Sequence, residues 1–468
     1  MTGVNTPAGS ATTVHTTESL RIGFVALARP TFDTALAAEV TAQVRAGLLA
    51  TGQVTLEGPE GLVMDLQAAQ AAAESLRGAP IDLLLVWQAS FADATMVVAL
   101  ARAVPAPAVP APLLLWAPPE ERTGGRLRLN AFCGINLAAH GLHREGIGYD
   151  YLYAAPDDPA AIDKVLLLAR AGRAARLLRS ARIGRFGLNP DGFAPCTFDG
   201  DALAALTGVR IVQRELADVF DGARTAPAAD VDHTLSELEQ RVVGLAGLDQ
   251  PSLRKTLGAY LTLADLARED AYDGLAVRCW PEFFTGLGCA ACGAMSMLSD
   301  RMVPCSCEAD VNGTVTQLML QWLSGEPAFG TDMVGFDVDR DEAVLWHCGL
   351  APLSMADPEF QPRGTIHSNR KLPLLMEFPL KPGRVTIARL TQASGAYRLV
   401  VGGGEMLRAP ISFSGTSGVL RFDRPSQEVL DTIMAEGLDH HISLTYGDHM
   451  DALLALARML GLPVLRLT

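Results

Sequence analysis

Cations are in short supply in this chain. Lysine and arginine number 38 against 52 acids, a formal net charge of −14. Gripping nucleic acid takes a cationic face, so this balance excludes that class of partner. Arginines do recur every third residue at Arg170, Arg173, Arg176, Arg179, Arg182 and Arg185. Each such step turns a helix by about 300°, so the row drifts about 60° per arginine and holds no single face. A solvated helix face or a subunit contact is expected there. Long apolar runs are also missing: none approaches the ~20 residues needed to span a bilayer, so no membrane role is expected. Residues 1–20 are rich in Thr, Ser, Ala and Gly and lack the charged and apolar segments of a secretion signal. They read as a disordered tail. The eight cysteines sit mostly among apolar or small residues, which suits reduced thiols in a cytoplasmic protein.

What is present is apolar bulk. Hydrophobic residues make up 49% and charged residues only 19% of 468, enough for large cores in two or three domains. A buried strand at 21–28 is followed by an apolar-periodic helix at 34–50. Then come a strand near Val54, a helix at 66–76, a strand at 81–87, a helix at 92–103 and a strand at 113–116. Such alternation predicts a doubly wound parallel sheet. The stretch 104–112 reads as a rigid Pro-Ala connector. A second α/β unit is expected from Gly146, with a helix at 160–179 and strands at 182–187, 209–212 and 274–278. Beyond Gly364, short runs such as 384–390 and 396–401 are split by Gly-rich turns, the texture of a small antiparallel barrel or sandwich. The expected fold is therefore α/β, with two doubly wound parallel-sheet domains at 21–145 and 146–360. A β-rich, barrel-like domain at 361–468 follows them.

Two sets of residues invite a chemical reading. Cys289, Cys292, Cys305 and Cys307 have a CxxC and CxC spacing, and four thiolates could hold structural zinc. The first pair, however, runs into GAMSML, a buried small-residue helix, and buried free thiols are the expectation. The second set is Glu308, Asp332, His347 and the pair His440–His441. Glu308 ends an apolar run, where a carboxylate has no packing reason to be. Asp332 and His347 follow on what read as successive strand ends, where ligands gather in open α/β sheets. Asp310 reads as the cap of the helix that begins after it. Oxygen and imidazole donors together suit a hard or borderline divalent ion, and they also supply acids and bases.

The runs CEADVNG at 307–313, LWHCG at 345–349 and DHHISLTYGD at 439–448, with Asp332 between the first two, resemble the L-fucose and L-arabinose isomerase superfamily. LLLVWQASF around Trp87, RCWPEF at 278–283 and KPGRVTIARL from Lys381 are similar to the same proteins. The resemblance implies an aldose–ketose isomerase working through a cis-enediolate, with Mn²⁺ as cofactor and Mg²⁺ or Co²⁺ as substitutes. It implies Glu308, Asp332 and His441 as metal ligands, the two acids also moving protons, and His347 as a further ligand as in the arabinose branch. It also implies a homo-oligomer with shared sites, where Arg29 and Trp87 reach a neighbour's sugar. Trp280 stands where the family keeps a sugar-binding Gln, and His440 is expected beside the sugar. An isomerase or epimerase for a 6-substituted, anionic sugar is an alternative, as is a non-catalytic sugar-binding paralogue.

Overall fold

Aspartates set many of the helix starts. Asp33, Asp65, Asp93, Asp199, Asp249 and Asp310 each accept a backbone N–H from the first turn of the helix that follows, satisfying donors that a helix end leaves open. The structure is a computed structural model that describes residues 18–104 and 111–468. Most of the expected tail and of the Pro-Ala connector lie outside the described residues. No helix among the described residues is long and apolar enough to cross a membrane.

Residues 18–179 form one compact unit. Its five parallel strands are β1 (Leu20–Leu27), β2 (Val54–Glu57), β3 (Leu83–Gln88), β4 (Leu113–Ala117) and β5 (Asp150–Tyr153), in the order β2-β1-β3-β4-β5. Alternating helices supply the crossovers that parallel strands require. Strand β5 pairs with β4, so the segment after Gly146 completes this sheet and does not open the next domain. Trp87 is fully buried in β3, where its Nε1–H donates to Thr41 Oγ1 at 3.1 Å and its ring meets Trp116 edge to face. It is a core residue and cannot contact a neighbour's sugar, contrary to expectation. Nor is the arginine row simply a solvated face. Asp82 is fully buried, with Arg173 Nε at 3.5 Å and Arg176 Nη2 at 2.8 Å. Helix Pro159–Ser180 thus turns two of its arginines inward to neutralise one acid.

Residues 180–468 form the second compact unit. A four-stranded parallel sheet comes first: β6 (Arg182–Phe186), β7 (Arg210–Arg214), β8 (Gly274–Val277) and β9 (Cys305–Ser306), ordered β7-β6-β8-β9. The remaining strands are β10 (Phe329–Asp337), β11 (Glu342–His347), β12 (Arg363–Ile366), β13 (Pro373–Pro379), β14 (Gly383–Thr391), β15 (Arg398–Leu407), β16 (Thr416–Phe422), β17 (His441–Tyr446) and β18 (Val464–Arg466). Six of these, in the order β16-β11-β10-β17-β14-β15, close into an antiparallel barrel through the β15–β16 pairing. Closure removes the open edges of a free sheet. Asp332 and His347 therefore sit on barrel strands, not on strand ends of the α/β sheet, and the barrel begins at Phe329, before the expected boundary at 361.

Candidate active site

Pairing register assembles the site. Asp332 on β10 lies directly opposite His441 on β17 and Trp346 on β11, so His347 is one residue from alignment with the same acid. A bulge between Met333 and Gly335 interrupts β10 just beyond Asp332; such kinks re-aim side chains next to sites. Glu308 arrives from the other side, on the turn between β9 and helix Val311–Ser324. His441 Nε2 lies 3.1 Å from Glu308 Oε2 and 3.7 Å from Asp332 Oδ1. Two of the expected acids thus gather around His441 Nε2. A cavity of about 20 Å³ beside it is lined by Asp332, His347 and His441, room for one water-sized occupant.

Asp310, read from sequence as a helix cap alone, does more. Its Oδ1 accepts the Gly313 N–H at 2.9 Å, while its Oδ2 lies 2.9 Å from His441 Nδ1 and 2.6 Å from Arg389 Nη1. Arg389 also donates to Asp439 Oδ2 at 2.9 Å and to the Pro195 carbonyl at 2.7 Å. Burial would raise the Asp310 carboxyl, but Arg389 and His441 outweigh it and hold it well below the usual range. Asp310 thereby fixes the proton of His441 on Nδ1 and turns Nε2 toward Glu308 and Asp332. The strand alternation of β14 could have revealed Arg389. It shares the phase of buried Val385 and Ile387, and a buried arginine calls for an acid partner.

Each remaining group has a definable state. Burial would raise Glu308, yet its bonds to His441 and to Trp280 keep it below the ordinary carboxylate range. Burial would lower His441, but Asp310, Cys196 and Glu308 hold it well above its ordinary value. Cys196 Sγ is 3.9 Å from His441 Nδ1, and burial pushes this thiol up to about 11, so it stays protonated. Burial opposes a second proton on His347 while Cys348, Asp332 and Glu308 favour one, but the Cys348 amide N–H donates to its Nδ1 at 2.8 Å. A ring nitrogen that accepts a hydrogen bond carries no proton, so the geometry places the His347 proton on Nε2. His440 is exposed, beside a cavity of about 780 Å³ whose walls include Asp199, Asn312 and Gln392.

Among the described residues, two clusters bring three ligand atoms within 4.8 Å of one another: Cys196, Asp310 and His441, and Asp332, His440 and His441. Arg389 already places a cation on Asp310, which disfavours an ion in the first. Glu308 adjoins the second through His441. His347 belongs to neither. The four cysteines of the CxxC and CxC spacing do not share a point, since Cys307 faces Cys279 at 2.6 Å and Cys292 faces Cys348 at 3.1 Å. Trp280 donates its N–H to Glu308 Oε1 at 2.9 Å, so it orients the acid and that donor is not free for a sugar hydroxyl. Arg29 lies in the first unit, where its Nη2 is 3.1 Å from Asp93 Oδ2 and its guanidinium 5.3 Å from the Phe91 ring.

Known proteins share this arrangement of sequence. Residues 23–177 match the fucose/sulfoquinovose isomerase N-terminal domain, and residues 376–468 match the L-fucose isomerase C-terminal domain. The sulfoquinovose isomerases of Priestia aryabhattai and Priestia megaterium are each 30% identical over 441 residues, 94% of this chain and 97% of theirs. That of Alkalicoccus urumqiensis is 31% identical over 357 residues, 76% of this chain and 80% of its own. With both terminal domains matched and such identity along nearly the whole length, the chain belongs to the L-fucose isomerase-like family and is an isomerase.

Proposed function

We propose that this enzyme interconverts sulfoquinovose, the 6-deoxy-6-sulfo aldose, and its ketose through a cis-enediolate, with a divalent ion held by Glu308, Asp332 and His441. The convergence of these three side chains, in a chain that matches sulfoquinovose isomerases over 94% of its length, carries the reading. The donor set fits an ion such as Mn²⁺, with Mg²⁺ or Co²⁺ as substitutes, because hard oxygens and one imidazole suit borderline cations. Asp332 Oδ1 is buried without a hydrogen-bond partner among the described residues, and Asp310 leaves His441 Nε2 to bind. When bound, the ion would polarise the sugar carbonyl and stabilise the negative charge that develops on its oxygen.

The chain's own groups do the proton work. Glu308 and Asp332 both lie beside His441 Nε2, so one carboxylate can take the carbon-bound proton while the other moves the hydroxyl proton. His347, with its proton on Nε2, lines the cavity and can donate to a substrate oxygen, a different role from the extra ligand expected from sequence. Retention of both acids argues against a non-catalytic paralogue. The test is NMR of sulfoquinovose in D₂O with purified enzyme. Ketose should form with deuterium entering at C1 or C2, EDTA should abolish the exchange, and Mn²⁺ should restore it. Full activity after complete chelation would refute the metal-assisted route.

A further inference from the structure

A sulfonated sugar carries a full negative charge at the end opposite its carbonyl, and a strongly acidic protein must supply a cation for it. Trp280 links the reacting end of the site to such a cation. Its indole N–H holds Glu308, and its ring face lies 5.0 Å from the Arg370 guanidinium, which is also 4.9 Å from the Phe284 ring. Arg370 is exposed, and among the described residues no carboxylate pairs with it. A guanidinium laid on aromatic faces keeps the in-plane N–H donors at its edge available. Those donors match an anion whose charge is spread over three oxygens.

The loop that presents Arg370 is tightly held. His367 Nδ1 accepts the backbone N–H groups of Asn369 and Arg370 at 3.2 and 3.3 Å. The Lys371 N–H returns to the His367 carbonyl at 2.8 Å, and the His367 N–H donates to the Leu372 carbonyl at 2.9 Å. The His367 ring is buried edge to face on Phe284 at 5.2 Å, so one aromatic residue braces both the loop and its arginine. Arg185 is the competing cation, since it too lacks a carboxylate partner among the described residues. Its terminal nitrogens are already spent on Gln213 and Asn189, and it is buried.

We propose that Arg370, lying against Trp280 and Phe284, binds the sulfonate and so selects a 6-sulfonated sugar over its neutral counterpart. This rests on the sulfonated-sugar reading above. The experiment measures kcat/KM for sulfoquinovose and for 6-deoxyglucose, which lacks only the sulfonate, in wild type, Arg370→Gln and Arg370→Lys. The ratio of the two values should fall by about 10- to 100-fold in Arg370→Gln, the loss expected when charge-assisted bonds to an ion are removed. Arg370→Lys should recover part of it. An Arg370→Gln ratio equal to wild type overturns the assignment, whatever happens to the overall rate. Preference passing instead to Arg185, seen as a collapsed ratio in Arg185→Gln alone, overturns it as well. Wild-type enzyme with no sulfoquinovose turnover would overturn the substrate reading and this inference together.

Discussion

Glu308 adopts φ 59° and ψ 24°, and Ala309 beside it has φ 54°. Left-handed conformations at non-glycine residues are disfavoured by about 1–3 kcal/mol each, so the surrounding packing must impose two in succession. Their effect is geometric. The chain turns from β9 into the cap of the next helix within three residues, which sets Glu308 and Asp310 on the two nitrogens of His441. Gly313 belongs to the same device, because a Cβ there would lie 2.6 Å from Asp310 Oδ2. Glu308→Gln keeps this shape, and its amide oxygen can still accept from Trp280, but it loses the basic carboxylate. We expect a folded protein, judged by circular dichroism, whose kcat falls by about 10²-fold or more, the range for a lost general base. Near wild-type turnover would remove Glu308 from the mechanism.

At the level of elements, most of the alternating strands and helices of the first 180 residues were legible from hydrophobic period, but helix Ala131–Arg144 and β5 were not, so the first domain was expected to end too early, at 145. The C-terminal barrel was legible from its Gly-split short runs. Its first two strands were not, since β10 and β11 follow a helix just as α/β strands would, and only long-range pairing with β16 and β17 assigns them to the barrel. The same limit hid the pairing of Asp310 with Arg389, which spans 79 residues. It also misled on Trp87, because a tryptophan before a loop looks available until Thr41 and Trp116 are seen to enclose it. The arginine row shows a further case: helical phase excluded a single charged face, but only the tertiary fold brings Asp82 beneath two of its members. Removing that acid should be costly. Asp82→Asn removes the carboxylate that faces both buried Arg173 and partly exposed Arg176, so we expect a loss of about 3 kcal/mol, the low end for breaking a buried pair. Urea unfolding followed by fluorescence would measure it, and a change within experimental error would show that water or another group already screens those arginines.

For the whole molecule, the first unit leaves apolar surface uncovered. Phe132, Tyr151 and Tyr153 are 55%, 63% and 47% exposed, and the Phe132 and Tyr153 rings meet edge to face at 5.2 Å. The two tyrosines lie on β5, an edge strand of its sheet, so the aromatic patch adjoins backbone with no neighbouring strand among the described residues. Exposed clusters of this kind at a sheet edge mark surfaces that another chain covers, and identical chains most often satisfy one another by closed symmetry. We therefore expect a homo-oligomer in solution. Tyr151→Glu combined with Tyr153→Glu would place charge on that edge and should shift the protein to a smaller species in size-exclusion chromatography with light scattering. Activity bears on Arg29 as well, which is expected to serve a neighbour's site. If sites are shared, the dissociated variant should lose turnover although Glu308, Asp332 and His441 are untouched, and Arg29→Gln in the intact oligomer should lower turnover too. A fully active monomer would show that residues 180–468 carry a complete site, and the role expected for Arg29 would fall with the shared arrangement.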